Sequence, residues 1–147
     1  MKCLSLIQPW ASLIIRGAKR YETRSWSTNY RGPLLISSSK KFPDVARQIC
    51  LQDPFATALD IWDEKSLDTL PLGCILGRIN LTAVVPAAEV HAKLDDDERA
   101  FGDFTPGRFA WLMEDALAFD PPIPWRGSLG LFDVPDHILP EAACAPE

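Results

Sequence analysis

Long apolar runs are missing from this sequence: the densest, Leu13-Ile14-Ile15 and Ala83-Val84-Val85, fall far short of the ~20 residues that span a bilayer. No membrane partner is expected. Gln8 and Pro9 break the first apolar stretch before a secretory core forms, so no signal peptide is read and the protein is placed in the cytoplasm. Cysteine and histidine are scarce. Cys3, Cys50, Cys74 and Cys144 form no CxxC pair and have no histidine at zinc-finger spacing, so they are expected as free thiols with no structural metal. His91 and His137 stand alone, at no spacing that makes a dyad or a ligand pair. The acidic run Asp95-Asp96-Asp97-Glu98 lacks the alternation and central glycine of a calcium loop, so it is read as a solvated loop or helix start. No cofactor is expected.

Internal repeats and linkers are also lacking. A chain of 147 residues is therefore expected to form one domain, 1–147, around a single core. Positive charge is short overall, with a net charge of −5, which by itself argues against nucleic acid. The distribution reverses that impression. Residues 1–50 carry nine Lys and Arg against two acidic side chains, a net +7, whereas residues 51–147 carry six against eighteen, a net −12. Such asymmetry places a positive face on a protein that is acidic as a whole.

Hydrophobic patterning predicts a strand over 3–7, then a helix that begins at Pro9, presents Trp10, Leu13 and Ile14, and stops at Gly17. Residues 21–26 alternate as a strand, with Glu22, Arg24 and Trp26 on one face. Residues 29–33 read as a turn returning the chain alongside 21–26, followed by a buried strand over 34–36 and a polar rim loop over 37–41. Helical spacing of Val45, Ile49, Phe55, Leu59 and Trp62 predicts an inserted helical stretch over about 43–70. Strands are expected over 73–85, 108–113 and 128–134, the last two joined through Asp120-Pro121-Pro122-Ile123-Pro124, and the tail from about 140 is expected to fray. Five to six short strands with inserted helices make a small mixed β-barrel of the α/β (α+β) class.

The residues Gly17-x-Lys19-x-x-Glu22-x-Arg24 reproduce a GxKxxExR signature, and on it the chain resembles the ASCH family, small barrels similar to PUA domains. The flanks Leu4-Ser5-Leu6-x-Gln8-Pro9-Trp10-Ala11-Ser12-Leu13, Arg24-Ser25-Trp26 and Tyr30-Arg31-Gly32 resemble the ASCH domain of the eukaryotic coactivator activating signal cointegrator. Gly73-Cys74-Ile75-Leu76-Gly77, and the ending from Pro122 through Arg126-Gly127 to His137, are similar to that family's central and closing strands. The resemblance implies a nucleic-acid-binding domain, RNA or a nucleotide foremost, in RNA metabolism or in transcription or translation control. DNA and protein partners stay open, and the oligomeric state is not specified.

Side-chain chemistry gives the candidate site. Lys19, just past the helix stop, is expected to reach over the barrel mouth as a mobile cation that holds a phosphate or carbonyl oxygen, or acts as a base if burial lowers its pKa. Glu22 and Arg24 share a strand face as an ion pair or as direct contacts to a base edge and a phosphate. Trp26, ahead of Trp10, is the candidate stacking platform beside these cations, with Tyr30 and Arg31 nearby. Ser37, Ser38, Ser39 and Lys40 are candidates for phosphate contact, and Ser128 is a further polar candidate. The alternative is a metal-independent hydrolase, a ribonuclease or an N4-acetylcytidine amidohydrolase-like enzyme, in which Lys19 and Glu22 are the catalytic groups. The amidohydrolase branch has Thr where Glu22 stands and needs a distant Glu, for which Glu98 is the candidate.

Overall fold

The computed structural model describes residues 1–145. Its central strands are apolar on both sides, which is why the sequence shows unbroken apolar runs there rather than alternation. Leu4, Leu34, Ile36, Ile79 and Leu81 face one core, while Cys3, Leu35 and Ile75 face a second with Phe119 and Val134. Six strands form one sheet in the order β2-β5-β4-β3-β1-β6: β1 (Lys2–Leu6), β2 (Tyr21–Arg24), β3 (Gly32–Ser38), β4 (Cys74–Pro86), β5 (Phe109–Pro124) and β6 (Leu131–Asp133). Only β1 and β3 pair in parallel; the other pairings are antiparallel.

The sheet curls into a half-barrel, the mixed α/β class expected from the sequence. Curling comes from β4 and β5, whose register slips between Ile75 and Gly77, Arg78 and Asn80, and Leu81 and Ala83; each slip adds local twist. Gly77 is required at the first of these, since a Cβ there would stand 2.3 Å from the Leu117 carbonyl oxygen. Inside the curl sits α1 (Trp10–Ile15), ended by Gly17 at φ +80, after which the Lys19 N–H closes on the Leu13 carbonyl at 3.0 Å. Trp111 lies in the same core, fully buried, edge-on to Trp26 with ring centroids 4.8 Å apart. Burying an indole is worth about 4–6 kcal/mol at the usual ~25 cal/mol per Å².

Several expectations are corrected. The turn over 29–33 does not return β3 to β2: β2 pairs with β5 at one edge of the sheet, and β3 lies between β4 and β1. The connection is instead braced internally, by the Tyr30 hydroxyl on the Pro33 carbonyl and by Arg31 on the Thr28 and Tyr30 carbonyls. Ser37 and Ser38 are not loop residues but the buried end of β3, so only Ser39, Lys40 and Lys41 remain at the rim. The prolines of 120–124 do not separate two strands. They lie within β5, beyond its pairing with β2, on a stretch that has β4 alone as its neighbour and so tolerates prolines on its free side.

The stretch 43–70 folds as α2 (Asp44–Ile49), α3 (Phe55–Leu59) and a 3-10 turn, Glu64–Thr69. Its inward residues are Cys50, Phe55, Leu59, Ile61, Leu67 and Leu70, whereas Val45 and Trp62 point outward, 82% and 74% exposed. Helical spacing misleads there because Pro54 and the left-handed Asp60 reset the helical phase. The acidic segment forms α4 (Ala87–Val90) and α5 (Asp96–Phe101), with Asp95 capping α5 through the Glu98 N–H. Its charge is not all solvated, since Glu98 turns inward. None of the helices among the described residues is long and apolar enough to cross a membrane.

The tail expected to fray forms α6 (Glu141–Cys144), with Ala143 buried and the buried Arg78 guanidinium donating to the Ala143 and Ala145 carbonyls at 2.6 and 3.1 Å; residues 146 and 147 lie outside the described residues. A chain shortened after Pro140 strips those acceptors from a buried cation and is expected to lose about 1–3 kcal/mol of stability. A thermal melt unchanged by the truncation would show that the tail contributes nothing.

Candidate functional site

Two adjoining cavities open where the ends of β1, β2 and β3 meet α5. The smaller, about 390 Å³, lies between Leu6 and Ile7 on one side and Trp10, Glu22, Phe101 and Asp103 on the other. The larger, about 690 Å³, is bounded by Trp26, Ser38, Lys40, Lys41, Arg126 and Ser128. Ser5, Leu6, Ile7 and Arg24 line both, so the guanidinium of Arg24 stands at the junction. Volumes of this size suit small ligands or single nucleotides.

The strand alternation places Glu22 and Arg24 as expected: Glu22 Oε2 is 3.6 Å from Arg24 Nε, and Arg24 also donates to the Ser5 carbonyl at 3.2 Å. Arg24 stands over the Trp26 ring at 5.9 Å from its centroid, a cation–π contact. Trp26 lines the larger cavity and at the same time packs on Trp111 in the core. Trp10 lines the smaller one, its indole N–H on the Phe101 carbonyl at 2.8 Å.

Lys19 departs from expectation. It does not reach over the mouth as a mobile cation but is 1% exposed, with Nζ donating to the Phe101 carbonyl at 3.1 Å and lying 3.8 Å from Glu22 Oε1. The chain crosses directly above it at Gly102, where a Cβ would come within 3.2 Å of Nζ. Burial pushes the Lys19 pKa down, opposed by the charges of Glu22 and Glu98. Glu98 lies on the other side of this knot. Its Oε1 accepts the Arg20 N–H at 2.6 Å while its buried Oε2 has no hydrogen-bond partner. Burial raises the Glu98 pKa, against the Arg20 N–H and the charge of Lys19.

The remaining candidates divide. Ser38, Lys40 and Ser128 line the larger cavity, as does Ser39. Ser37 is fully buried. Arg31 and Tyr30 line neither cavity, since both are spent on bracing their own loop. Sequence reasoning missed Lys41, Arg126 and Asp103 as lining residues. Lys41 was legible as the neighbour of Lys40; Arg126 and Asp103 enter only because β5 and α5 bring distant segments to the same mouth.

Two outcomes follow from the buried charges. Lys19→Met removes the buried cation that Glu22 and Glu98 share and is expected to cost about 3–5 kcal/mol. Glu22→Gln in the Lys19→Met background should return part of that loss; additive denaturant-melt effects would mean that the two groups do not interact. Glu98 has a folded-state pKa above its ordinary value of 4.5, so the folded chain binds that proton more tightly than the unfolded one. Its contribution is greatest below the ordinary value and is lost as pH rises through the raised one. Glu98→Gln should therefore lose less stability than the parent between pH 4.5 and neutrality; parallel stability curves would refute the assignment.

Comparison with known proteins agrees with this architecture. The ASCH domain model matches residues 4–123. The human and mouse proteins called activating signal cointegrator 1 are each 43% identical to the chain over 79 residues, 54% of this chain and 13% of each of those proteins. The chain thus spans only a small part of the length of these relatives. The crystal structure of ASCH from Zymomonas mobilis superposes with a TM-score of 0.56 at 15% identity, covering 92% of this chain and 88% of that one. A mutant of the same Zymomonas protein gives 0.56 over 91% and 89%, a likeness of fold. With the family model covering most of its length and the half-barrel shared with solved members, the chain belongs to the ASCH domain family.

Proposed function

We propose that residues 1–147 form one RNA-binding domain whose larger cavity holds single-stranded RNA or a nucleotide. The observation that carries this reading is the meeting of four cations, Arg24, Lys40, Lys41 and Arg126, on one cavity that has no acidic lining residue, in a chain of net charge −5. A local positive field in an acidic protein is what a phosphate backbone selects. Trp26 beside Arg24 offers an unpaired base a ring face, and Ser39 and Ser128 offer hydroxyls to phosphate or ribose, whereas the buried Ser38 hydroxyl is engaged by the Cys74 backbone. A role in RNA metabolism, or in transcription or translation control, in the cytoplasm fits this chemistry.

The hydrolytic alternative is less well supported by the geometry. It needs Lys19 Nζ to meet the ligand, but that ammonium is held by the Phe101 carbonyl and covered at Gly102.

Fluorescence anisotropy of a labelled single-stranded RNA across a salt series tests the binding reading. Each phosphate contact contributes a slope of about −0.7 in log affinity against log salt. Lys40→Ala and Arg126→Ala should each weaken binding and flatten the slope by about that much. Salt-independent binding, or variants that bind like the parent, would overturn it. A denaturing gel of the same mixtures with a chelator present distinguishes intact RNA, as expected here, from cleavage.

A further inference from the structure

The two cavities differ in charge. The larger is lined by cations without a carboxylate, whereas the smaller carries Glu22 and Asp103 with Arg24 as its one cation, at the wall that both share. Phosphate belongs in the first. The second is built for something that donates hydrogen bonds.

Glu22 is 7% exposed, yet its nearest cations, Lys19 at 3.8 Å and Arg24 at 3.6 Å, stand at ion-pair rather than hydrogen-bond distance. Both oxygens of this buried carboxylate thus keep lone pairs for a ligand, and a carboxylate offers acceptors only. A carboxylate with two free oxygens matches a pair of parallel donors. Among the four common bases only guanine presents two adjacent donors on its pairing edge, N1–H and the N2 amino group; uracil offers one donor between two acceptors. Trp10, fixed by its indole bond to Phe101, gives the smaller cavity an aromatic wall, and Ile7, 41% exposed, lies on the saddle between the cavities.

We propose that the smaller cavity is a guanine pocket. Glu22 accepts N1–H and N2–H of an unpaired guanine, Trp10 packs on the base, and the attached phosphate passes Arg24 into the larger cavity. This rests on the RNA-binding reading and adds base specificity to it.

The test compares the pentaribonucleotides UUGUU, UUIUU and UUUUU with the intact chain; inosine lacks only the N2 amino group. The parent should bind UUGUU at least about tenfold more tightly than either of the others, within the range of a good bidentate base contact. Glu22→Gln should shrink the UUGUU to UUIUU ratio to within about twofold, whereas Lys40→Ala, which touches only phosphate, should lower both affinities and leave the ratio intact. Equal, salt-dependent binding of all three by the parent overturns the guanine pocket and leaves the RNA reading standing. Absence of binding to any of them overturns both. Competition by free GMP over IMP separates a mononucleotide source from a strand, and equal competition by the two counts against the pocket.

Discussion

The ammonium of Lys19 is the point at which the GxKxxExR segment is tied to the end of α5. It is almost wholly buried, donates to the carbonyl that ends α5, and shares its charge with Glu22 on β2 and Glu98 on α5. Such an arrangement exists only when all its partners are in place, because a buried charge with a missing counter-charge costs several kcal/mol. The wall of the smaller cavity formed by Phe101, Gly102 and Asp103 therefore depends on the GxKxxExR segment for its position. The Trp10 indole on the same carbonyl and Thr23 on the Asp103 N–H complete the attachment.

From this knot the division of labour within the signature becomes physical. Its glycine ends a helix, its lysine is spent internally, and its glutamate and arginine line the smaller cavity from an edge strand that the knot holds in register. A residue that looks like a ligand contact in the one-dimensional pattern is instead the part that fixes where the contacts stand. The positive surface is assembled separately, from Lys40 and Lys41 past the end of β3, Arg24 on β2 and Arg126 after β5.

Much of the fold was legible in the sequence where local and tertiary demands agree. β1, α1, β4 and the shared face of Glu22 and Arg24 follow from apolar density, the Gly17 stop and strand alternation. What was not legible depends on long-range placement. The pairing of β2 with β5 rather than β3 is set by elements more than eighty residues apart, and local turn chemistry at 29–33 carries no information about it. The serines of 37 and 38 look like loop residues by composition, and their burial is imposed by the neighbours β1 and β4. The cation cavity was foreshadowed by the charge asymmetry and by Lys40, but Arg126 joins it only through the end of β5. The burial of Lys19 could not be read from the motif, since nothing in its spacing announces the arrival of α5.

The prolines of β5 bear on what the sheet can do outside itself. Past Leu112 this strand has lost β2 as a neighbour, and a bare strand margin ordinarily invites a second polypeptide to add on by backbone pairing. Pro122 and Pro124, two apart and so on the side of the strand away from β4, withhold N–H groups that such an added strand would have to find. Over this last stretch of β5 the half-barrel is a poor acceptor of a further strand, and it is the margin farthest along β5 from its pairing with β2 that the prolines protect.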